Sequence, residues 1–174
     1  MSVEAKAKEE MEKIDFGKTT YSVELDTSLG NIVLNLFPEV APNHCKNIIA
    51  LAKIGFYNDL IFHRVIDSFV IQGGCPEGTG TGGPGYNVAA EFNSKPHKLG
   101  VLSMARSGHP DSAGSQFFLC LGDVPHLDNQ YTVFGEAADD RSREVISAIG
   151  KVSTGQGDRP LEDVVINTAT VIES

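Results

Sequence analysis

The segment FHRVIDSFVIQGG, residues 62–74, places Arg64 and Gln72 among apolar residues in what otherwise reads as two strands and a turn. A guanidinium stays charged at any ordinary pH and donates through a rigid fork, and a glutamine oxygen can hold that fork in one orientation. Whether the two side chains meet depends on the length of the loop between them. A two-residue turn at Asp67-Ser68 sets Ile66 against Phe69 and puts Arg64 and Gln72 on opposite faces. A three-residue loop, Asp67-Ser68-Phe69, sets Ile66 against Val70 and Arg64 against Gln72, and frees the Phe69 ring at the tip. The three-residue loop is the expectation. It gives one fixed cationic donor beside an apolar floor of Val70 and Phe69. On Arg64 and Gln72 alone, an ion pair between Arg64 and an acid such as Glu91, closing a barrel edge, is the simpler reading, because structural ion pairs are common. GSQFFLC, residues 114–120, adds a second element: Gln116 and Phe118 share one face of a strand, Phe117 and Leu119 the other. One ring can enter a core while the other lines an outer groove, although a packing role for Phe118 is again the simpler reading of these residues alone.

Other chemistry finds less support. GTGTGGPG, residues 78–85, contains GxGxxG, but a phosphate cradle needs a helix opening at the glycines, and Pro84 and Gly85 prevent one. No Lys-Ser/Thr pair follows, so a P-loop also fails, and a flexible surface loop is expected. No G-x-S-x-G elbow is present, and the histidines are scattered at 44, 63, 97, 109 and 126. His44 beside Cys45 would suit a thiol nucleophile only if both faced one way. Neighbours on a helix do not, so a packed Cys45 and a surface His44 are expected. A metal site assembled from distant residues has little support, and no metal or cofactor is expected.

The elements that must position Arg64, Gln72 and Phe118 can be read from periodicity. Tyr21, Val23 and Leu25, then Ile32, Leu34 and Leu36, alternate with polar residues, giving an antiparallel hairpin turning near Ser28 to Gly30. APNHCKNIIALAKIG reads as a helix with Pro42 near its start, Cys45, Ile48, Ile49 and Ala52 on one face, and Gly55 as its stop. Strands follow at LIFHRVI, FVIQG, KLGVLSMA, SQFFLCL, YTVFG and DVVINTATVI, with a second helix at about 140–149. Eight strands with only two helices favour a closed antiparallel barrel, because each parallel crossover would need its own helix. Residues 1–18, rich in Glu, Lys and Ala, read as a charged extension, a solvated helix or loose arm outside the core, and residues 19–174 as one domain.

Composition narrows the partners. A net charge of −9 repels phosphate backbones and anionic lipid, so nucleic acid and membrane are not expected. Three cysteines with no CxxC pair make a disulfide framework improbable, and with no secretory stretch at the start the expected location is the cytoplasm.

From about Tyr21 onward, APNHCKNIIALAKIGFY, FHRVIDSFVIQGG, GTGTGG, GVLSMAR, GSQFF and LDNQYTVFG resemble, in order, the motifs of the cyclophilin family of peptidyl-prolyl cis-trans isomerases. The loop SGHPDSAG resembles bacterial members. The resemblance implies a closed eight-stranded antiparallel β-barrel capped by two helices, with a substrate groove outside the barrel. The implied activity is rotation about Xaa-Pro bonds in unfolded or folding proteins, assisting folding without cofactor or metal. It makes Arg64 the main catalytic group with Gln72 its neighbour, and Phe69, Val70, Phe118, Leu127 and Tyr131 the proline pocket. Ala105, Arg106, Ser107 and Gln116 would border the residues before the proline, with Gly80 and His126 as further substrate-binding positions. Val70 stands where many relatives have Met, Tyr131 where many have His, and Arg106 where Asn is common, at a position expected to act through its backbone. His126 stands where cyclosporin-sensitive members carry Trp, so weak cyclosporin binding is implied. A monomer is expected. The alternative from another class is a proline-segment binding module, a chaperone or assembly factor, whose groove would look the same.

Overall fold

In the computed structural model, which describes residues 1–174, the first alternating stretch forms β1 (Tyr21–Thr27) and β2 (Gly30–Leu36), an antiparallel pair. Val23 faces Leu34 and Leu25 faces Ile32, and all four are buried. The remaining strands are β3 (Leu60–Ile61), β4 (Arg64–Ile66), β5 (Val70–Gly73), β6 (Val101–Met104), β7 (Phe117–Cys120), β8 (Val133–Ala137) and β9 (Val165–Glu173). They make one nine-stranded antiparallel sheet in the order β3-β9-β1-β2-β8-β6-β7-β5-β4.

That order explains the barrel. β3 and β4 lie at opposite edges of the sheet, yet only Phe62 and His63 separate them along the chain. The sheet must therefore curl until its edges meet, and the backbone itself bridges the seam where no ladder forms. Phe62 is fully buried there, and its N–H donates to Val164 O at 3.0 Å. LIFHRVI, expected as one strand, is thus two, which raises the count from eight strands to nine. The strongly curled sheet encloses a core of 30 buried residues. A separate group of seven, Val70, Val101, Phe118, Cys120, Val124, Leu127 and Val133, lies on the outer face.

The N-terminal extension is a third helix. In α1 (Val3–Glu12), Ser2 caps the start by accepting from Ala5 N at 3.1 Å, and the helix packs along α2 (Pro42–Lys53). Ala7 and, just beyond the helix, Ile14 join the main core, so the charged arm expected to lie outside the core contributes to it. Its small alanine lets the two helices approach closely, which is why charge-rich composition concealed the contact. The second expected helix is α3 (Asp140–Gly150), whose Asp139 cap accepts from Ser142 N at 2.8 Å.

Helix α2 buries Cys45, Ile48, Ile49 and Ala52 as its periodicity predicts, but His44 is buried too, contrary to the surface position expected for it. Ala41 at its N-cap offers no side-chain acceptor. The carboxylate of Glu91, from a distant loop, substitutes: it accepts from His44 N at 2.9 Å, Asn43 N at 3.3 Å and His44 Nδ1 at 2.7 Å. A carboxylate at a helix N-terminus satisfies orphan amides and meets the positive end of the helix dipole. Glu91 is therefore occupied at the start of α2, and the ion pair that would have given Arg64 a purely structural role does not form. Burial holds the His44 imidazole below its usual pKa, against the opposing pull of Glu91, and its Nε2 has no partner.

Candidate active site on the outer wall of the barrel

Register assembles the site. Arg64 pairs with Gln72 and Ile66 with Val70, as the three-residue loop requires, and Ser68 takes up the positive φ of 64° that such a turn needs. Gln72 then pairs with Phe118, and Phe118 with Ser103. Arg64, Gln72, Phe118 and Ser103 thus form one row across four strands. Arg64 and Phe118 lie two strands apart, a backbone separation of about 10 Å, which leaves room for a small ring between the guanidinium and the phenyl. Phe117 and Leu119 face the main core while Phe118 faces outward, where it belongs to the outer apolar group.

The hydrogen bonds fix the polar half. Gln72 Oε1 accepts from Arg64 Nη1 at 3.4 Å, and Gln72 Nε2 donates to Gln116 Oε1 at 3.1 Å. Gln116 Nε2 donates to both Gly80 O and Gly82 O at 2.9 Å. Each amide is oriented by its neighbour, so the oxygen of Gln72 must face Arg64. The Arg64 contact is long and weak, and no carboxylate borders the hollow beside the guanidinium, leaving most of its donors for a ligand. Gln116, expected to hold substrate, has its amide engaged in fixing the glycine loop. The loop itself, expected to be a flexible surface segment, is also pinned where Cys75 Sγ accepts from Gly80 N and Gly82 N, both at 3.3 Å. Burial alone would raise the Cys75 thiol pKa, but the surrounding backbone donors outweigh it and lower it.

The apolar half is a hollow of about 460 Å³ bordered by Arg64, Phe69, Val70, Phe118, Leu127 and Tyr131. Phe118 meets Tyr131 edge to face at 5.6 Å, and Phe69 stacks on His126 at 5.7 Å. A second, polar hollow of about 530 Å³ continues from it through Gln72, Gly80, Ala105 and Arg106, and also takes in Ser107 and Gln116. The structure therefore brings together every site residue expected from the sequence. His126 alone lines neither hollow; its ring stacks on Phe69, which does line one. Arg106, expected to act through its backbone, folds its guanidinium over the Tyr131 ring at 4.8 Å. There it donates to Gln130 O at 2.9 and 2.8 Å, and to Ser107 O and Gly108 O.

Behind Phe118 lies an arrangement that sequence reading missed. His97 stacks on that ring at 5.9 Å, its Nδ1 is 2.8 Å from Asp128 Oδ1, and its Nε2 is 2.9 Å from Ser103 Oγ. The residue types are those of a hydrolytic triad, but Ser103 and His97 are buried, and the Ser103 hydroxyl also has Thr132 O within reach at 3.1 Å. No substrate can approach it, so it serves as a brace for the pocket floor. Burial lowers the His97 pKa despite Asp128. His63, Gln156, Gly157 and Arg159 also line the apolar hollow and were not expected, since residues 156–159 form a single short 3-10 turn and its cap, with no periodicity to mark them.

A sequence model of the family described as cyclophilin type peptidyl-prolyl cis-trans isomerase/CLD matches residues 22–171. A Helicobacter pylori peptidyl-prolyl cis-trans isomerase is 48% identical over 92% of this chain and 94% of its own length. One from Synechococcus elongatus is 46% identical over 83% of this chain and 96% of its own. Among solved structures, a Cryptosporidium parvum cyclophilin type isomerase, crystallised in the presence of the dipeptide Ala-Pro, superposes with a TM-score of 0.82. It is 31% identical and covers 88% of this chain and 99% of that one.

Proposed function

The chain belongs to the cyclophilin-type peptidyl-prolyl cis-trans isomerase family and accelerates rotation about Xaa-Pro peptide bonds, and we propose that it does so in the hollow between Arg64 and Phe118. Such a bond resists rotation because nitrogen shares its lone pair with the carbonyl, giving a barrier of about 20 kcal/mol. Halfway round, that conjugation is lost and the proline nitrogen becomes a hydrogen-bond acceptor. A donor aimed at the nitrogen then binds the twisted state better than either planar isomer. Arg64 is that donor. A charged hydrogen bond of about 1.5 to 3 kcal/mol corresponds to roughly ten- to a hundredfold in rate.

The apolar residues hold the proline ring while the preceding residues lie along Ala105, Arg106 and Ser107, so the carbonyl side is the part that turns. Gln72 sets the direction of the Arg64 fork, and Gln116 sets the glycine wall. The single observation that carries this reading is the cross-strand row that places a carboxylate-free guanidinium beside the outward ring of Phe118. The substrates are proline-containing segments of unfolded or folding proteins. Cyclosporin binds weakly, because the imidazole of His126 offers less apolar area than the indole of sensitive relatives.

The test is isomerisation of a short Xaa-Pro peptide. Arg64→Ala should lose most of the activity, and Arg64→Lys nearly as much, because an ammonium lacks the fork. Near-normal turnover by a folded Arg64→Ala protein would remove Arg64 from the mechanism. Peptide binding without acceleration by the unmodified protein would favour a binding module instead.

A further inference from the structure

Ionisable side chains around the apolar hollow are unexpectedly one-sided. The chain carries 23 Asp and Glu against 14 Lys and Arg, yet the ionisable residues bordering this hollow include Arg64, Arg106, Arg159 and His63 and no acid. A random sample of this surface would be acidic. The three arginines differ in what they have left to offer. Arg64 is directed by Gln72 toward the imide nitrogen in the reading above, and the Arg106 fork is engaged by the carbonyls of Gln130, Ser107 and Gly108. Arg159 donates one hydrogen bond, from Nη1 to Gly78 O at 2.7 Å, which locks its head against the glycine loop. Its Nη2 lies 3.7 Å from Asp163 Oδ1, beyond a good hydrogen bond, and the side chain is 47% exposed. Its remaining donors are thus held at the hollow's edge, facing solvent and a loose, displaceable partner in Asp163. Beside it His63 is almost fully buried, with an Nδ1 that has no partner, so this part of the wall contains an unmet polar group.

We infer that Arg159, at the end of the hollow away from Ala105 and Ser107, is a subsite for an acidic side chain that follows the proline of the substrate. The inference rests on the isomerase reading above and adds a preference among its substrates. A positioned guanidinium pairs with a carboxylate in two parallel hydrogen bonds. Arg64 and Arg106 reinforce the positive potential in a concave site, where field lines are concentrated. The neighbouring acids, Asp158 and Asp163, are exposed to solvent and temper this potential without occupying the hollow. An acidic protein whose catalytic hollow is basic would draw acidic proline segments to that hollow alone.

The experiment measures kcat/KM for short peptides identical except for Glu, Gln or Lys in the first or second position after the proline. Glu should exceed Gln by about two- to fivefold at one of these positions, the range a half-exposed ion pair supports, with Lys below Gln. The ratio should shrink as salt rises. Arg159→Lys should retain the order of preference, Arg159→Gln should bring the Glu to Gln ratio close to one, and Arg159→Glu should reverse it in favour of Lys. Turnover of all three peptides at equal rates, or a Glu preference untouched by Arg159→Glu, overturns the subsite while leaving the isomerase intact. No turnover of any peptide would instead overturn the isomerase reading itself.

Discussion

Phe117 and Phe118 are consecutive, chemically identical and buried alike, yet the structure gives them opposite duties, and substituting each in turn separates packing from catalysis. Phe117 meets Tyr57 at 5.6 Å and Phe62 at 6.1 Å inside the barrel. Phe118 lies in the outer group between His97 and Tyr131. Removing a buried phenyl costs about 3 to 5 kcal/mol, and more of that range applies to Phe117, whose neighbours are enclosed on every side and cannot collapse inward. Phe118→Ala should fall near 3 kcal/mol, because an outer group of side chains can partly close over the gap. The order reverses for activity. A proline ring carries three CH₂ groups worth about 0.8 kcal/mol each when buried, and loss of one wall of its hollow should forfeit about 1 to 2 kcal/mol, or roughly five- to thirtyfold in kcat/KM. Urea unfolding gives the stability change, and peptide isomerisation corrected for folded fraction gives the activity. Leucine variants at the same positions, with smaller losses in the same order, cover the case in which an alanine variant does not fold. If the Phe117 variant lost as much activity per folded molecule as the Phe118 variant, the assignment of the reaction to the outer wall would be wrong.

Thermal stability should decline as pH falls through about 6.5 toward 5, because burial holds His44, His63 and His97 below their usual pKa. The unfolded chain then binds protons that the native state refuses, so stability is fully present above the unfolded value and is lost below it; a melting temperature constant from pH 7.5 to 5 would contradict this. Isomerase kcat/KM per folded molecule should be nearly flat from about pH 6 to 9, since no bond breaks and no group exchanges a proton with substrate, whereas a steep bell-shaped profile would indicate proton transfer. Glu91→Ala should destabilise the fold by about 1 to 3 kcal/mol in urea titrations, through the lost cap of α2 and the stranded His44 N–H, with kcat/KM per folded molecule little changed.

The sequence by itself determined the local pieces. Period-two alternation marked β1 and β2, helical spacing marked α2 and α3, and the loop length between Ile66 and Val70 was enough to put Arg64 opposite Gln72, because side-chain direction in a hairpin is set by counting. The family motifs then named Arg64, Phe69, Val70, Gln72, Phe118, Leu127 and Tyr131 around the hollow, but not His63, Gln156, Gly157 or Arg159. What sequence could not carry was closure and cooperation between distant segments. Whether LIFHRVI is one strand or two depends on where the curled sheet meets itself, a property of all nine strands at once. Glu91 caps a helix far away along the chain, His97 finds Asp128 and Ser103 only after β6 and β7 pair, and Ala7 enters the core only once α2 offers it a surface. Arg159 has no periodic signal, because a loop residue is placed by hydrogen bonding, here to Gly78 O, and not by a repeating pattern of burial. Local geometry repeats along the chain and can be read there, whereas contacts between remote segments are chosen by packing and by the need to satisfy buried polar groups, which only the assembled fold defines.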